Sequence, residues 1–307
     1  MNSDPAWTAE RPCPAERAAE LIGASFPALR GLPVALLAEG WDNTVHVVGG
    51  MWVFRFPRRK VALPGFEREL AVLPRIAGRL PLPVPLPELV AADDDPADPW
   101  PFTGARLLPG LELPATRLPE ETRIPAAAAT GSFLRKLHAA DTQAAVDVDL
   151  ALDPMQRGWP QARIDSTRGL LSRLVADRTW PEDPDVDRLL TEAEALDAPS
   201  RAPVLVHGDL HVRHLLLDEA GDAAGVIDWG DVCLADPAVD LSLAYTAFTG
   251  DSRAAFFDAY GEIDADRELR ARALGVRISA LLAGYAAGVN NPTILDEALA
   301  GLRRVVE

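Results

Sequence analysis

Lysine is nearly absent from this chain: of thirty basic residues, only Lys60 and Lys136 are not arginine. Any task that needs a fixed cation therefore falls almost everywhere on a forked guanidinium, which does not substitute freely for an ammonium. Cysteine is scarce too. Cys13 and Cys233 stand far apart, which excludes a disulfide framework and the paired spacing of a structural zinc site. They read as incidental thiols of a protein in a reducing cytoplasm. No run of eighteen apolar residues occurs, so no membrane-spanning helix is expected. The first thirty residues are charged and broken by proline, without the apolar stretch of a secretion signal. Positive charge is in short supply overall: 30 Lys and Arg against 46 Asp and Glu leave a net charge of −16. That balance argues against a nucleic-acid partner, whose phosphates would be repelled, and leaves cationic partners open.

What is present divides into two parts. Residues 14–30 read as a leading amphipathic helix. The period then changes over 34–56, where VALLA, TVHVV and MWVFRF form a three-stranded meander. Its turns fall at Glu39-Gly40-Trp41-Asp42-Asn43 and Gly49-Gly50. Gly65–Leu80 is helical by pattern, with a break or restart at Pro74. PLPVPLPEL is too proline-rich for a regular element; LPELV and FTGARLL read as further strands. The boundary is placed at 1–104 for a first lobe and 105–307 for a second. Helical patterns fill the second lobe at 125–140, 163–178, 186–196, 241–249, 253–261, 267–289 and 293–305. The expected fold is α+β and bilobal: an antiparallel-sheet lobe, then a larger, mostly helical lobe enclosing a β-hairpin.

The segment VLVHGDLHVRHLLLDEAGDAAGVIDWGDVCLADPAVDL, Val204 to Leu241, holds three of the five histidines. It reads as a strand, a polar loop, a tight hairpin and a second polar loop, which delivers polar side chains to the mouth of a cleft. His207-x-Asp209-Leu210-x-x-x-His214, then Asp228-Trp229-Gly230, has the spacing of a kinase catalytic loop and metal-binding triplet. Phosphoryl transfer needs a positioned hydroxyl, neutralised phosphate charge and fixed metal ions. Asp209 suits the catalytic carboxylate that accepts a hydroxyl's hydrogen bond. Asp228 suits Mg²⁺, a hard cation that takes oxygen ligands. Either aspartate alone could be an ordinary loop residue bonded to backbone amides; their joint spacing weighs against that.

The order of these motifs resembles the aminoglycoside phosphotransferase family, including its macrolide-phosphorylating branch, from about Ala38 to Leu243. The resemblance rests on the HGD loop of His207 and Asp209, on HLLLD from His214, on VIDWGD with Asp228, and on Asp236-Pro237 with Asp240. It implies a bilobal kinase-like fold and transfer of the γ-phosphate of ATP or GTP to a hydroxyl of a small molecule, with an aminoglycoside or another antibiotic as the expected acceptor. Macrolide phosphorylation and a metabolite or sugar kinase are the alternatives. Antibiotic resistance is implied by resemblance alone. His214 stands where most kinases carry a metal-binding asparagine, as in the macrolide branch. Imidazole is a poorer Mg²⁺ ligand than an amide oxygen and suits transition metals better, so Mn²⁺ is expected to support activity well. His207 is read as a brace of the loop, His211 as solvent-facing, and His138 as a helix-end residue bonded to free carbonyls. Asp240 reads as a helix N-cap or as a buried tie of the catalytic loop, structural either way.

In the first lobe the resemblance assigns the phosphate-neutralising cation to Arg55, where the family usually has lysine, and its carboxylate partner to Glu69, with Glu67 as rival. Gly40, Asp42, Asn43 and Thr44 are expected to cover the phosphates, although any β-turn favours such residues. Arg106 completes the nucleotide-binding set in a hinge near Thr103–Leu107. The acceptor falls to the helical segments 150–200 and 250–295. Two readings of other classes compete: a metallohydrolase built on His207, Asp209, His211 and His214, and a nucleotide-binding protein without catalysis.

Overall fold

The computed structural model describes residues 9–40 and 42–307. The chain forms two compact units. The first runs to Gly78 and resumes over Val84–Leu108; the second comprises Arg79–Pro83 and Pro109–Glu307.

The first unit opens with α1 (Ala15–Ser25) and carries strands β1 (Val34–Glu39), β2 (Asn43–Val48) and β3 (Trp52–Pro57). After α2 (Leu63–Ile76) come β4 (Leu89–Ala92) and β5 (Pro101–Arg106). The strands pair antiparallel in the order β1-β2-β3-β5-β4. Alternation in β2 and β3 turns His46, Val48, Trp52, Phe54 and Phe56 inward, where they pack with Leu21, Ile22 and Phe102. Phe56 stacks on Phe102 with ring centroids 4.8 Å apart. Gly104 is required by this packing, because a Cβ there would meet the Phe54 ring at 2.6 Å.

One expectation is corrected in this unit. Helix α2 runs unbroken through Pro74, since an exposed proline in the last turn removes a single backbone bond near the helix end. The buried face of α2 is Phe66, Glu69, Val72, Leu73 and Ile76, so one carboxylate lies on an otherwise apolar stripe.

The second unit begins with β6 (Leu111–Glu112), α3 (Leu113–Thr116), α4 (Ile124–Leu137) and α5 (Ala140–Gln143). Helices α6 (Ile164–Ala176) and α7 (Pro184–Glu194) precede β7 (Val204–Val206), β8 (Leu215–Leu217), β9 (Ala223–Val226) and β10 (Cys233–Ala235). The chain closes with α8 (Ala238–Ala247), α9 (Gly250–Tyr260), α10 (Ala265–Gly288) and α11 (Pro292–Arg304). The hairpin β8–β9 is present, extended by β6, while β7 pairs with β10. Every residue of α8 is buried, the polar Asp240, Ser242 and Thr246 included. Gly131 of α4 lets α9 approach closely, since a Cβ would lie 2.2 Å from the Phe256 carbonyl oxygen.

Candidate active site

Strand β7 ends at Val206 and the chain turns sharply at Gly208. Its φ of 90°, and a distance of 2.1 Å from a hypothetical Cβ to the Asp231 carbonyl oxygen, admit only glycine. The turn is anchored from α8. Asp240 accepts hydrogen bonds from the amides of His207 at 2.8 Å and Gly208 at 3.0 Å, and its Oδ2 lies 3.1 Å from His138 Nε2. Burial pushes the Asp240 carboxyl up, but the hydrogen bond from His138, the nearby imidazoles and the Gly208 amide leave it below its ordinary range. Asp240 is thus a tie rather than an N-cap, because Pro237 holds the cap position. His138 bonds Tyr260 Oη at 2.9 Å as well as Asp240, not free helix carbonyls.

His207 accepts the Asp209 amide at Nδ1 (3.2 Å), so its Nε2–H donates to the Ile227 carbonyl at 3.0 Å. Burial is the main cause that brings its pKa down to about 4. The neutral ring therefore joins the loop after β7 to the end of the hairpin. Trp229 lies against it, ring centroids 4.7 Å apart, and is itself fully buried.

Asp209 projects from this braced loop. A third of its side chain is exposed, yet buried surroundings push its carboxyl up to about 6, opposed by His214 and Arg157 and reinforced by Asp231 and Asp228. His214 stands between the two aspartates. Its Nδ1 is 2.7 Å from the Asp209 carbonyl oxygen and must donate to it, while Nε2 lies 3.4 Å from Asp228 Oδ2. Asp228 has φ of 67°, a left-handed conformation that aspartate tolerates better than most residues.

His211 is not solvent-facing. Its ring stacks on His214 at 3.8 Å, and its side chain is only 11% exposed. Asp209, His211 and His214 bring one donor atom each within 4.8 Å of one another; His207, the fourth member of the expected hydrolase cluster, is committed to backbone groups.

One residue escaped sequence reasoning. Arg157 donates to Asp231 Oδ2 at 2.8 Å and stands 3.9 Å from Asp209 Oδ1. Its loop is pinned by Asp153, whose carboxylate accepts the amides of Arg157 and Gly158, each at 2.8 Å. Nothing in the segment MQRGWPQAR marks that position, because its partner is 74 residues away.

In the first unit, Arg55 donates to both Glu69 oxygens at 2.7 and 2.5 Å. Glu69 is buried and Glu67 exposed, which decides between the two. Asp42 pairs with Arg59, and its carbonyl accepts the Arg58 amide. The Gly40 amide donates to the Asn43 carbonyl at 2.9 Å. Asn43 Oδ1 and Thr44 Oγ1 are buried without a hydrogen-bond partner among the described residues. Arg106 is exposed, lies 3.9 Å over the Trp52 ring and pairs loosely with Glu88. The Leu107 amide is bonded to the Met51 carbonyl. Trp41 lies outside the described residues.

Residues 33–274 match the model of APH, a phosphotransferase enzyme family, and the chain belongs to that family. The chain is 29% identical over 184 residues to an aminoglycoside 3'-phosphotransferase of Streptomyces fradiae, covering 58% of this chain and 64% of that protein. It spans less than two thirds of the length of the curated relatives it matches. Among solved structures it is similar to the GDP and kanamycin complex of APH(2")-IIIa, with TM-score 0.64 and 22% identity over 94% of this chain and 97% of that one. A macrolide 2'-phosphotransferase type I gives TM-score 0.61 and 22% identity over 96% and 98%. These likenesses show a kinase-like fold. Membership in this phosphotransferase family favours phosphoryl transfer over the hydrolase and the non-catalytic readings. No helix among the described residues is long and apolar enough to cross a membrane.

Proposed function

We propose that this phosphotransferase moves the γ-phosphate of ATP or GTP to a hydroxyl of a small molecule, with Asp209 as the residue that receives and orients that hydroxyl. The observation that carries this reading is the arrangement around His214: one imidazole touches the Asp209 carbonyl and brings its Nε2 to 3.4 Å from Asp228 Oδ2. Carboxylate oxygens of Asp209 and Asp228 lie 3.9 and 3.4 Å from the two nitrogens of that ring. Asp228 and His214 would hold the divalent cation, His214 through the Nε2 that its Nδ1–H contact leaves towards Asp228. Once bound, that ion neutralises phosphate charge. Arg55, held on both guanidinium–carboxylate contacts by Glu69, supplies a further fixed positive charge for the nucleotide.

The raised pKa of Asp209 fits a base poised near working pH. His207 and Asp240 act through it by fixing the loop. Aminoglycosides and macrolides, named with the similar structures, are the first acceptors to test, beside sugars and amino sugars. Phosphorylated product followed by mass tests the reading. Asp209→Ala and Asp228→Ala are each expected to abolish transfer while the fold, read by circular dichroism, is retained. Near-normal turnover by either variant contradicts the roles.

A further inference from the structure

With 46 acidic residues against 30 basic ones, an arginine in this chain has abundant carboxylates to choose from. Arg163 and Arg277, like Arg253 and Arg270, form no ion pair among the described residues. Arg163 donates to the Met155 carbonyl, and Arg277 to Ser166 Oγ at 2.9 Å. Both are only partly exposed, and together with Arg157 they line one small pocket with Pro160, Ile164 and Leu274. The cavity is about 10 Å³, room for one water-sized group. Three arginines line it. The Arg277 pKa lies below its ordinary value, mainly through burial and then through the charges of Arg163 and Arg157. Only Arg157 is compensated, by Asp231 at 2.8 Å, and it also stands 3.9 Å from Asp209.

We propose that this pocket binds an anionic group of the acceptor, a carboxylate or phosphate, and so presents the acceptor's hydroxyl to Asp209. An anionic oxygen fits the cavity and turns mutual repulsion into charge-assisted N–H···O bonds, for which the forked guanidinium is suited. An acceptor rich in ammonium groups would meet three like charges at the same place. The inference rests on the phosphotransferase reading and narrows its acceptor to molecules carrying both a hydroxyl and an acidic group.

The full-length chain is melted in sodium sulfate and in sodium chloride at matched ionic strength, as wild type, Arg277→Gln and the Arg163→Gln/Arg277→Gln double variant. Sulfate is expected to raise the wild-type Tm several degrees beyond chloride, and the double variant to lose that increment. Without sulfate the variants should melt at or above wild type, because they shed a repulsion. Equal sulfate increments, no sulfate increment in wild type, or variants that melt well below wild type overturn the anion site. Arg277→Lys keeps the charge without the fork and should show a reduced increment. A second arm follows product mass for matched neutral, amino and carboxylate- or phosphate-bearing sugars with ATP or GTP. Preference for the acidic members supports the acceptor assignment; absence of that preference overturns it. Stabilisation of wild type by GDP or ATP with Mg²⁺ is measured in parallel. Its absence sinks the phosphate-donor reading, whereas its presence beside an arginine-independent sulfate response sinks only the anion pocket.

Discussion

At the residue scale, the chemistry depends on where single protons sit. Asp209 can accept a hydroxyl's proton only when ionised, and its carboxyl is pushed up to about 6, chiefly by burial. The acid limb of kcat/KM is therefore expected near pH 6, with activity rising as pH increases through it. Arg157 is one of the influences that hold this pKa down. Arg157→Met should move the limb towards higher pH; a limb that stays in place would show that Arg157 does not tune the base. His214 carries a second prediction. Its Nδ1–H is committed to the Asp209 carbonyl at 2.7 Å, so only Nε2 can meet a cation, and nitrogen favours Mn²⁺ over Mg²⁺. The ratio of Mn²⁺-supported to Mg²⁺-supported turnover should fall in His214→Asn. Superimposable metal-dependence curves for wild type and variant would refute a ligand role.

At the scale of elements, the catalytic loop between β7 and β8 is held by α8 rather than by its own turn. Asp240 accepts two loop amides, and an asparagine there would set an N–H₂ against N–H donors. Asp240→Asn should cost about 2 kcal/mol of stability, read as a lower urea midpoint, and reduce kcat more than it changes nucleotide affinity. Gly208→Ala must drive a Cβ into the Asp231 carbonyl and is expected to cost activity as severely. Wild-type kinetics in Gly208→Ala would mean that the turn is not fixed. The same elements show what the sequence made legible. The hairpin β8–β9, the meander β1–β3 and the helix bearing Glu69 follow from local period and turn chemistry. Strand β10 did not: three residues, Cys233–Ala235, are too few for a periodic signal, and β7, its partner, lies across the loop. Asp240 was ambiguous because a first-turn aspartate and a buried tie look alike in one dimension. Arg157 and the stacking of His211 on His214 were invisible, since long-range geometry creates both.

For the molecule as a whole, a net charge of −16 makes the placement of each buried arginine consequential, because self-repulsion among carboxylates works against compaction. The C-terminal helix α11 shows how the second unit manages this. Arg304, 3% exposed, donates to the Thr246 carbonyl at 2.6 Å, Glu297 at 2.7 Å and Glu120 at 2.6 Å. Glu297 is shared with Arg123, which also reaches the Ala247 carbonyl at 2.9 Å. Four charges and two carbonyls thus join α11 to the end of α8 and to the segment before α4. A surface pair would contribute little, but here loss of one cation leaves Glu297 buried with a single partner. Arg304→Met should therefore destabilise the protein by about 3 kcal/mol, lowering Tm by roughly 2–4 °C for each kcal/mol in a unit of this size. The double variant Arg304→Met/Glu297→Gln should be less stable still, because it takes from buried Arg123 the carboxylate it pairs with. Equal melting of Arg304→Met and wild type would instead place the stability of α11 in its apolar face, Ile294, Ala298 and Leu302.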